Sequence, residues 1–319
     1  MRSVTEPENR PAPLEALALR TQPTELHFRR NHFLPPERPA AEVTVAGMNK
    51  RTFSLAELRS RAAAATVSAV LECAGHRRAE LEPPAEGIPW ELGAVSEARW
   101  SGLPLRELLL EVGVPPAARS VALYGRDGDV ERFGRAISLE KALSEETLVA
   151  WEMNGEPVPL VHGGPLRAIV PGHYAVDSVK WLERIELIDG EFEGSFQRLD
   201  YRLFTADDDE GVELHALPVH ALLLDSGTRE LSGIAWGGEG GVASVAVSID
   251  DGPWEQAELE RTSRWGRVFW RHAWEAAGGT HTVAVRATDA AGTAQPDAPQ
   301  WNRLGYANNS VRRVRITAP

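Results

Sequence analysis

The sequence holds a single cysteine, Cys73, so no disulfide can form within the chain. It also lacks the Cys and His clusters at ligand spacing from which a zinc site is built. No apolar run approaches the length of a membrane span, and no membrane partner is expected. Basic residues are outnumbered, 34 to 46, and the formal net charge of −12 argues against nucleic acid, whose phosphates call for clustered Lys and Arg. A small anionic substrate stays open, because local arginines decide that, and Arg29-Arg30 and Arg77-Arg78 form two tight pairs. Such pairs are ordinarily solvated surface; the alternative is an anion site. Met1 to Pro23 lacks the charged, apolar, small-residue order of a secretory signal and is polar and rich in Pro and Glu. Residues 1–25 therefore read as a flexible tail on a cytoplasmic protein.

At 319 residues the chain exceeds the usual size of one core, and two domains are expected. From 26 to 206 helix and strand signals mix. Ser54-Leu-Ala-Glu57 is a capping box opening a short helix through Arg61. Val67 to Leu71 is a β-branched apolar run, hence a buried strand that delivers Cys73 just past its end. Pro104 to Val112, stopped by Gly113, has the apolar spacing of a helix, and Ser138 caps another to Leu143. Leu166 to Val170 and Val179 to Ile188 read as strands around a Pro171-Gly172 turn. The acidic run 207–210 reads as a linker. Beyond it Val245, Val247 and Ile249 alternate with small or polar residues, Asp251-Gly252 supplies a hairpin turn, Val283 and Val285 alternate likewise, and Val311 to Ile316 closes the chain as a strand. Short strands without a long helix point to a β-sandwich over 207–319. The expected class is α+β followed by that sandwich.

The segment Glu72-Cys73-Ala74-Gly75-His76-Arg77-Arg78 sets a cysteine at a strand end, before small residues and two arginines. Such an electropositive setting is expected to lower the thiol's pKa. Three readings follow: a buried structural thiol, a nucleophile needing a base such as His76, or a ligand to a metal whose remaining ligands come from a cofactor.

That segment resembles the E/Q-C-A-G-N-R-R motif of the sulfite oxidase family, whose cysteine binds molybdenum chelated by a pterin dithiolene. Phe28-Arg29-Arg30-Asn31-His32 resembles the family's F-x-R-N-H. Arg99-Trp100-Ser101-Gly102 resembles A-R-W-x-G, and Glu152 to Pro157 with His162 to Arg167 resembles E-M-N-G-x-P and H-G-x-P-x-R. Val179 to Leu182 is similar to V-K-W-L, and Trp301 to Tyr306 with Asn308-Asn309 is similar to the closing motif of the immunoglobulin-like dimerisation domain. The resemblance runs in order over most of the chain.

The resemblance implies a molybdenum–molybdopterin cofactor, with Cys73 as metal ligand. Phe28, Arg30, His32, Asp127, His162, Arg167, Ser178 and Lys180 would line the cofactor site, Arg167 and Lys180 meeting the phosphate. Tyr201, beside the metal, and Arg30 would join Cys73 as catalytic residues. The implied reaction is oxygen-atom transfer, with sulfite oxidised to sulfate and electrons passed to a separate acceptor, since the sequence shows no haem segment with paired axial histidines. A homodimer through the sandwich is implied. Several positions depart from the pattern: Glu42 stands where relatives carry arginine, Asp177 replaces an arginine, Leu304 follows a displaced Arg303, and His76 replaces asparagine. A pocket with fewer cations and added carboxylates would hold sulfite less well. Reduction of an S-oxide or N-oxide by the same cofactor is the second hypothesis, and a metal-free interaction module the third.

Overall fold

The computed structural model describes residues 7–128, 131–204, 210–275 and 277–318. Strands dominate and the helices are few and short. Two five-stranded sheets build the first half. One orders 50–54, 42–46, 182–188, 120–125 and 134–138 edge to edge. The other runs 65–72, 95–104, 148–153 and 156–157, with 167–169 also pairing 148–153. The helix Leu105–Val112 buries Leu105, Leu108, Leu109 and Val112, the stripe that its spacing requires, and ends at Gly113 with φ +80°. Ser54 and Ser138 cap their helices by accepting from Glu57 N and Lys141 N, as the sequence pattern predicts. The linker expected at 207–210 falls largely outside the described residues.

In the second half, two four-stranded sheets face each other, ordered 220–226, 230–236, 268–273, 258–261 and 255–256, 244–249, 279–288, 312–318. Ala221, Leu231, Trp270, Val245, Val247, Val283 and Val285 from both sheets share one buried cluster. The hairpin after Ile249 turns one residue earlier than its Asp-Gly signal suggests. Asp250 and Asp251 take φ +52° and +56°, and Gly252 N donates to Ile249 O at 2.9 Å. Aspartate tolerates the left-handed region that such a turn demands twice, so glycine is not required there.

Two expectations need correction. Residues 7–25 are not a loose tail. Ala12, Ala16 and Leu17 are buried, Arg10 and Arg29 exchange backbone hydrogen bonds of 2.9 and 2.8 Å, and Gln22 bonds Ser96 Oγ at 3.0 Å. Three apolar side chains in the segment outweigh its polar composition. The strand expected from Val179 starts only at Leu182, because Trp181 adopts φ +47° and donates its N–H to Gly163 O at 2.9 Å. Strands 167–169 and 182–188 consequently join different sheets, and residues 170–181 cross between them.

The two halves share a core: Leu217, Leu222, Ile234, Trp236, Trp265 and Tyr306 pack in the same apolar cluster as Leu71 and Cys73. Val70 N donates to Trp265 O at 2.9 Å, and Arg267 Nε meets Glu97 at 2.9 Å with both groups largely buried. The closing segment returns to the cysteine loop, where Ala307 N donates to Ala74 O at 2.9 Å and Asn308 Nδ2 to Arg77 O at 3.1 Å.

Candidate active site

Strand 65–72 ends at Glu72, and the chain turns at once, with Cys73 N bonded to Ala94 O at 2.9 Å and His76 N to Cys73 O at 2.8 Å. At Gly75 in that turn a Cβ would lie 2.7 Å from the Arg78 guanidinium, which bonds Leu304 O and Ile88 O. The thiol lines a cleft. All ten residues singled out in the sequence line it, namely Phe28, Arg30, His32, Cys73, Asp127, His162, Arg167, Ser178, Lys180 and Tyr201. They arrive from six separate stretches of chain, which is why spacing alone could not have grouped them.

Three cations face this space. Arg167 is buried, donating to His162 O at 2.6 Å and Ser178 O at 2.9 Å, and burial lowers its pKa to about 9. Lys180 Nζ donates to Asn31 Oδ1 at 2.6 Å and Arg30 O at 3.1 Å; burial, then Arg167, lowers it to about 7. Arg30 donates to Asn31 O and approaches the His32 ring at 3.2 Å. Among the described residues the only carboxylate lining the cleft is Asp127, pushed up to about 6 by burial, and its Oδ1 is buried with no hydrogen-bond partner among them. Gly125 makes room for it, since a Cβ there would stand 2.4 Å from that oxygen. Burial and the neighbouring cations hold His32 and His162 down to about 3, so both rings are neutral. Ser178 Oγ accepts from Val170 N at 3.0 Å and fixes the crossing segment. Tyr201, with φ +43°, lies 2.7 Å from His32 Nε2 and stacks on Tyr306 at 5.3 Å, and burial raises its phenol above the usual range.

The arginine pairs divide their duties. Arg77 is spent on Glu80 and Ser310 O, Arg78 on Leu304 O and Ile88 O, and Arg29 on Glu8; only Arg30 points its charge at the cleft. Contrary to expectation, the Cys73 thiol is raised, because burial outweighs Arg30 and Arg78. Neither of the two expected carboxylates, Glu42 and Asp177, lines the cleft. Glu42 is exposed at the start of its strand and does not line the cleft. Asp177 is fully buried, but its Oδ1 accepts from Arg135 Nε at 2.8 Å and its Oδ2 lies 2.8 and 2.7 Å from Nδ1 of His173 and His215. Arg135 overcomes the upward push of burial and holds Asp177 well below the carboxylate range. Leu304 contributes its carbonyl to Arg78, and Arg303 lies over the Phe204 ring. Sequence reasoning missed His27, Asn31 and Trp181, all of which line the cleft. Asn31 sits inside the quoted Phe28 to His32 motif and could have been named from it.

An acidic protein has thus gathered three cations, one unpartnered carboxylate oxygen and a thiol around one space. That donor set fits a pterin-held metal. The cations suit a phosphate, the orphan oxygen suits a ring N–H, and the thiol suits a soft ligand bond. Residues 34–196 match the oxidoreductase molybdopterin binding domain, and residues 215–318 match the Mo-co oxidoreductase dimerisation domain. Fold and site together define a molybdopterin-dependent oxidoreductase. Sulfite oxidase of Gallus gallus is 35% identical, the match covering 97% of this chain and 76% of that protein. Mitochondrial sulfite oxidase of Rattus norvegicus is 33% identical, covering 92% of this chain but 61% of that one, so some relatives extend well beyond the match. Nitrate reductase [NADPH] of Phytophthora infestans is 34% identical over 97% of this chain and 40% of its own. Among solved structures, the sulfane dehydrogenase SoxCD from Paracoccus pantotrophus superposes with a TM-score of 0.86 at 23% identity, covering 99% of this chain and 87% of that one. The chain belongs to the sulfite oxidase family.

Proposed function

We propose that the protein oxidises sulfite to sulfate in the cleft at Cys73 and passes the electrons to a separate acceptor. The observation that carries this reading is the convergence of Cys73, Tyr201 and Arg30 at a cleft that also holds Lys180 and Arg167. When bound, a molybdenum–pterin centre supplies two-electron oxygen-atom transfer. Cys73 would be its protein ligand, and Lys180 and Arg167 would neutralise the pterin phosphate. Asp127 would offer its free oxygen to the pterin, with His162, Ser178, His32 and Phe28 lining the same cleft. Arg30 holds the substrate anion, so charge in transit meets a fixed cation. Tyr201, with its phenol positioned by His32, hydrogen-bonds the substrate and keeps its proton, because burial disfavours the phenolate. The domains assigned are catalytic over 26–206 and an immunoglobulin-like sandwich over 207–319, through which two copies pair. Light scattering tests the pairing: a mass near twice 34.9 kDa is expected.

Steady-state assays on molybdenum-loaded protein test the reaction. Turnover with sulfite and an artificial acceptor is expected. Reduction of nitrate or an S-oxide by the reduced enzyme, without sulfite turnover, would transfer the assignment to the reverse chemistry.

A further inference from the structure

Behind the cysteine loop, where the two halves of the chain meet, Glu72, His76 and His220 converge with potential ligand atoms all within 4.8 Å of one another. Each is at most 1% exposed. Buried polar atoms are normally hydrogen-bonded. Among the described residues, both ring nitrogens of His76 and Nε2 of His220 have no hydrogen-bond partner. Glu72 Oε2 accepts from the Trp236 indole at 2.6 Å, while Oε1 lies 3.2 Å from His220 Nε2. With metal–ligand distances of about 2.0–2.1 Å, two ligands of a tetrahedral zinc ion stand roughly 3.3–3.4 Å apart, close to that spacing. We propose that Glu72, His76 and His220 form a buried site for a divalent first-row metal ion, best suited to zinc, that ties the cysteine loop to the second half of the chain.

The surroundings favour a cation. Glu72 is the only acid in the cluster and supplies its counter-charge. The nearby cations are already committed, Arg77 to Glu80 at 2.6 Å and Arg312 to Glu80 at 2.9 Å. His220 is held flat on Trp236, with ring centroids 4.9 Å apart and planes 3° apart, and His76 stands edge-on to both rings. Imidazole and carboxylate are the ligand types zinc takes. A second cluster, His173, Asp177 and His215, makes the contrast clear. Its members close on each other by hydrogen bonds of 2.8 and 2.7 Å, and Arg135 already satisfies its acid. His76 is also the position at which the cysteine segment departs from the pattern it resembles. The site does not depend on the proposed substrate, and its ion is distinguishable from molybdenum.

The test is metal analysis of the molybdenum-loaded protein, purified from zinc-supplied cells and dialysed against EDTA, with anomalous diffraction at the zinc edge. One zinc ion per chain is expected, with its anomalous peak between the three side chains. His220→Gln or His76→Asn is expected to lower zinc by about tenfold or more while molybdenum is retained. If a variant loses both metals or fails to fold, the wild-type anomalous map decides alone. Trace zinc in wild-type protein, a peak elsewhere, or an ordered water between the three side chains overturns the proposal.

Discussion

Replacing Asp177 with asparagine asks whether this carboxylate burdens the substrate pocket or serves the frame behind it. Asp177 and Arg135 are both fully buried, joined at 2.8 Å, and Arg135 also donates to Phe196 O and Leu214 O at 2.8 and 2.9 Å. The substitution keeps the shape but leaves the guanidinium as an uncompensated buried charge. It also sets an amide against the rings of His173 and His215. Breaking one side of such a pair costs about 3–5 kcal/mol. At ~2–4 °C per kcal/mol for chains of about 150–250 residues, the melting temperature falls by on the order of 10 °C. Because Asp177 is held below its unfolded value, its contribution is present above about pH 4 and declines as the pH falls further. Thermal and urea unfolding measure the stability, and sulfite kinetics measure KM on the surviving fold. The double variant Arg135→Met, Asp177→Leu, which removes both charges, is expected to recover most of the loss. The reasoning is refuted if Asp177→Asn is as stable as wild type, or if it lowers KM for the anion, as it would were the carboxylate facing substrate.

Cys73→Ser is expected to abolish turnover with little change in melting temperature; an unfolded variant would return the thiol to a structural role. Tyr201→Phe removes the partner of His32 and is expected to lower kcat while molybdenum content stays at the wild-type level, and unchanged kcat would remove the phenol from catalysis. Lys180 is neutral above about pH 7 until an anion enters, so inorganic phosphate should bind cofactor-free protein more tightly at pH 6 than at pH 8, with proton uptake that calorimetry in two buffers detects. Leu17→Ala, in a fully buried side chain, is expected to cost about 2–5 kcal/mol by chemical denaturation, whereas no loss would restore the loose-tail reading.

Much of the architecture is legible because local rules and burial agree. Leu105 to Val112 shows its apolar stripe and stop, Ser54 and Ser138 announce their caps, and Val245 and Val247 alternate as a half-buried strand must. The failures occur where long-range contacts override composition. Leu17 is buried and Arg267 Nη2 reaches Leu19 O at 3.0 Å across the fold, which no local pattern in a Pro- and Glu-rich segment reveals. Trp181 takes a left-handed conformation to bond Gly163, delaying the strand to Leu182 although apolar residues begin at Val179. At the site, motifs identify the right side chains, but charge pairing is invisible in one dimension. Nothing near Asp177 in the chain points to Arg135, and nothing near Arg77 points to Ser310. The thiol's raised pKa follows from burial, which two adjacent arginines in a sequence do not disclose.

X-ray absorption at the molybdenum edge, on wild-type and Cys73→Ser protein carrying the same measured pterin content, tests the assignment of the cleft most directly. Stoichiometric molybdenum is expected in the wild type, and the loss of one sulfur neighbour from the metal in the variant. An unchanged sulfur shell, or wild-type protein that takes up neither molybdenum nor pterin, would contradict it.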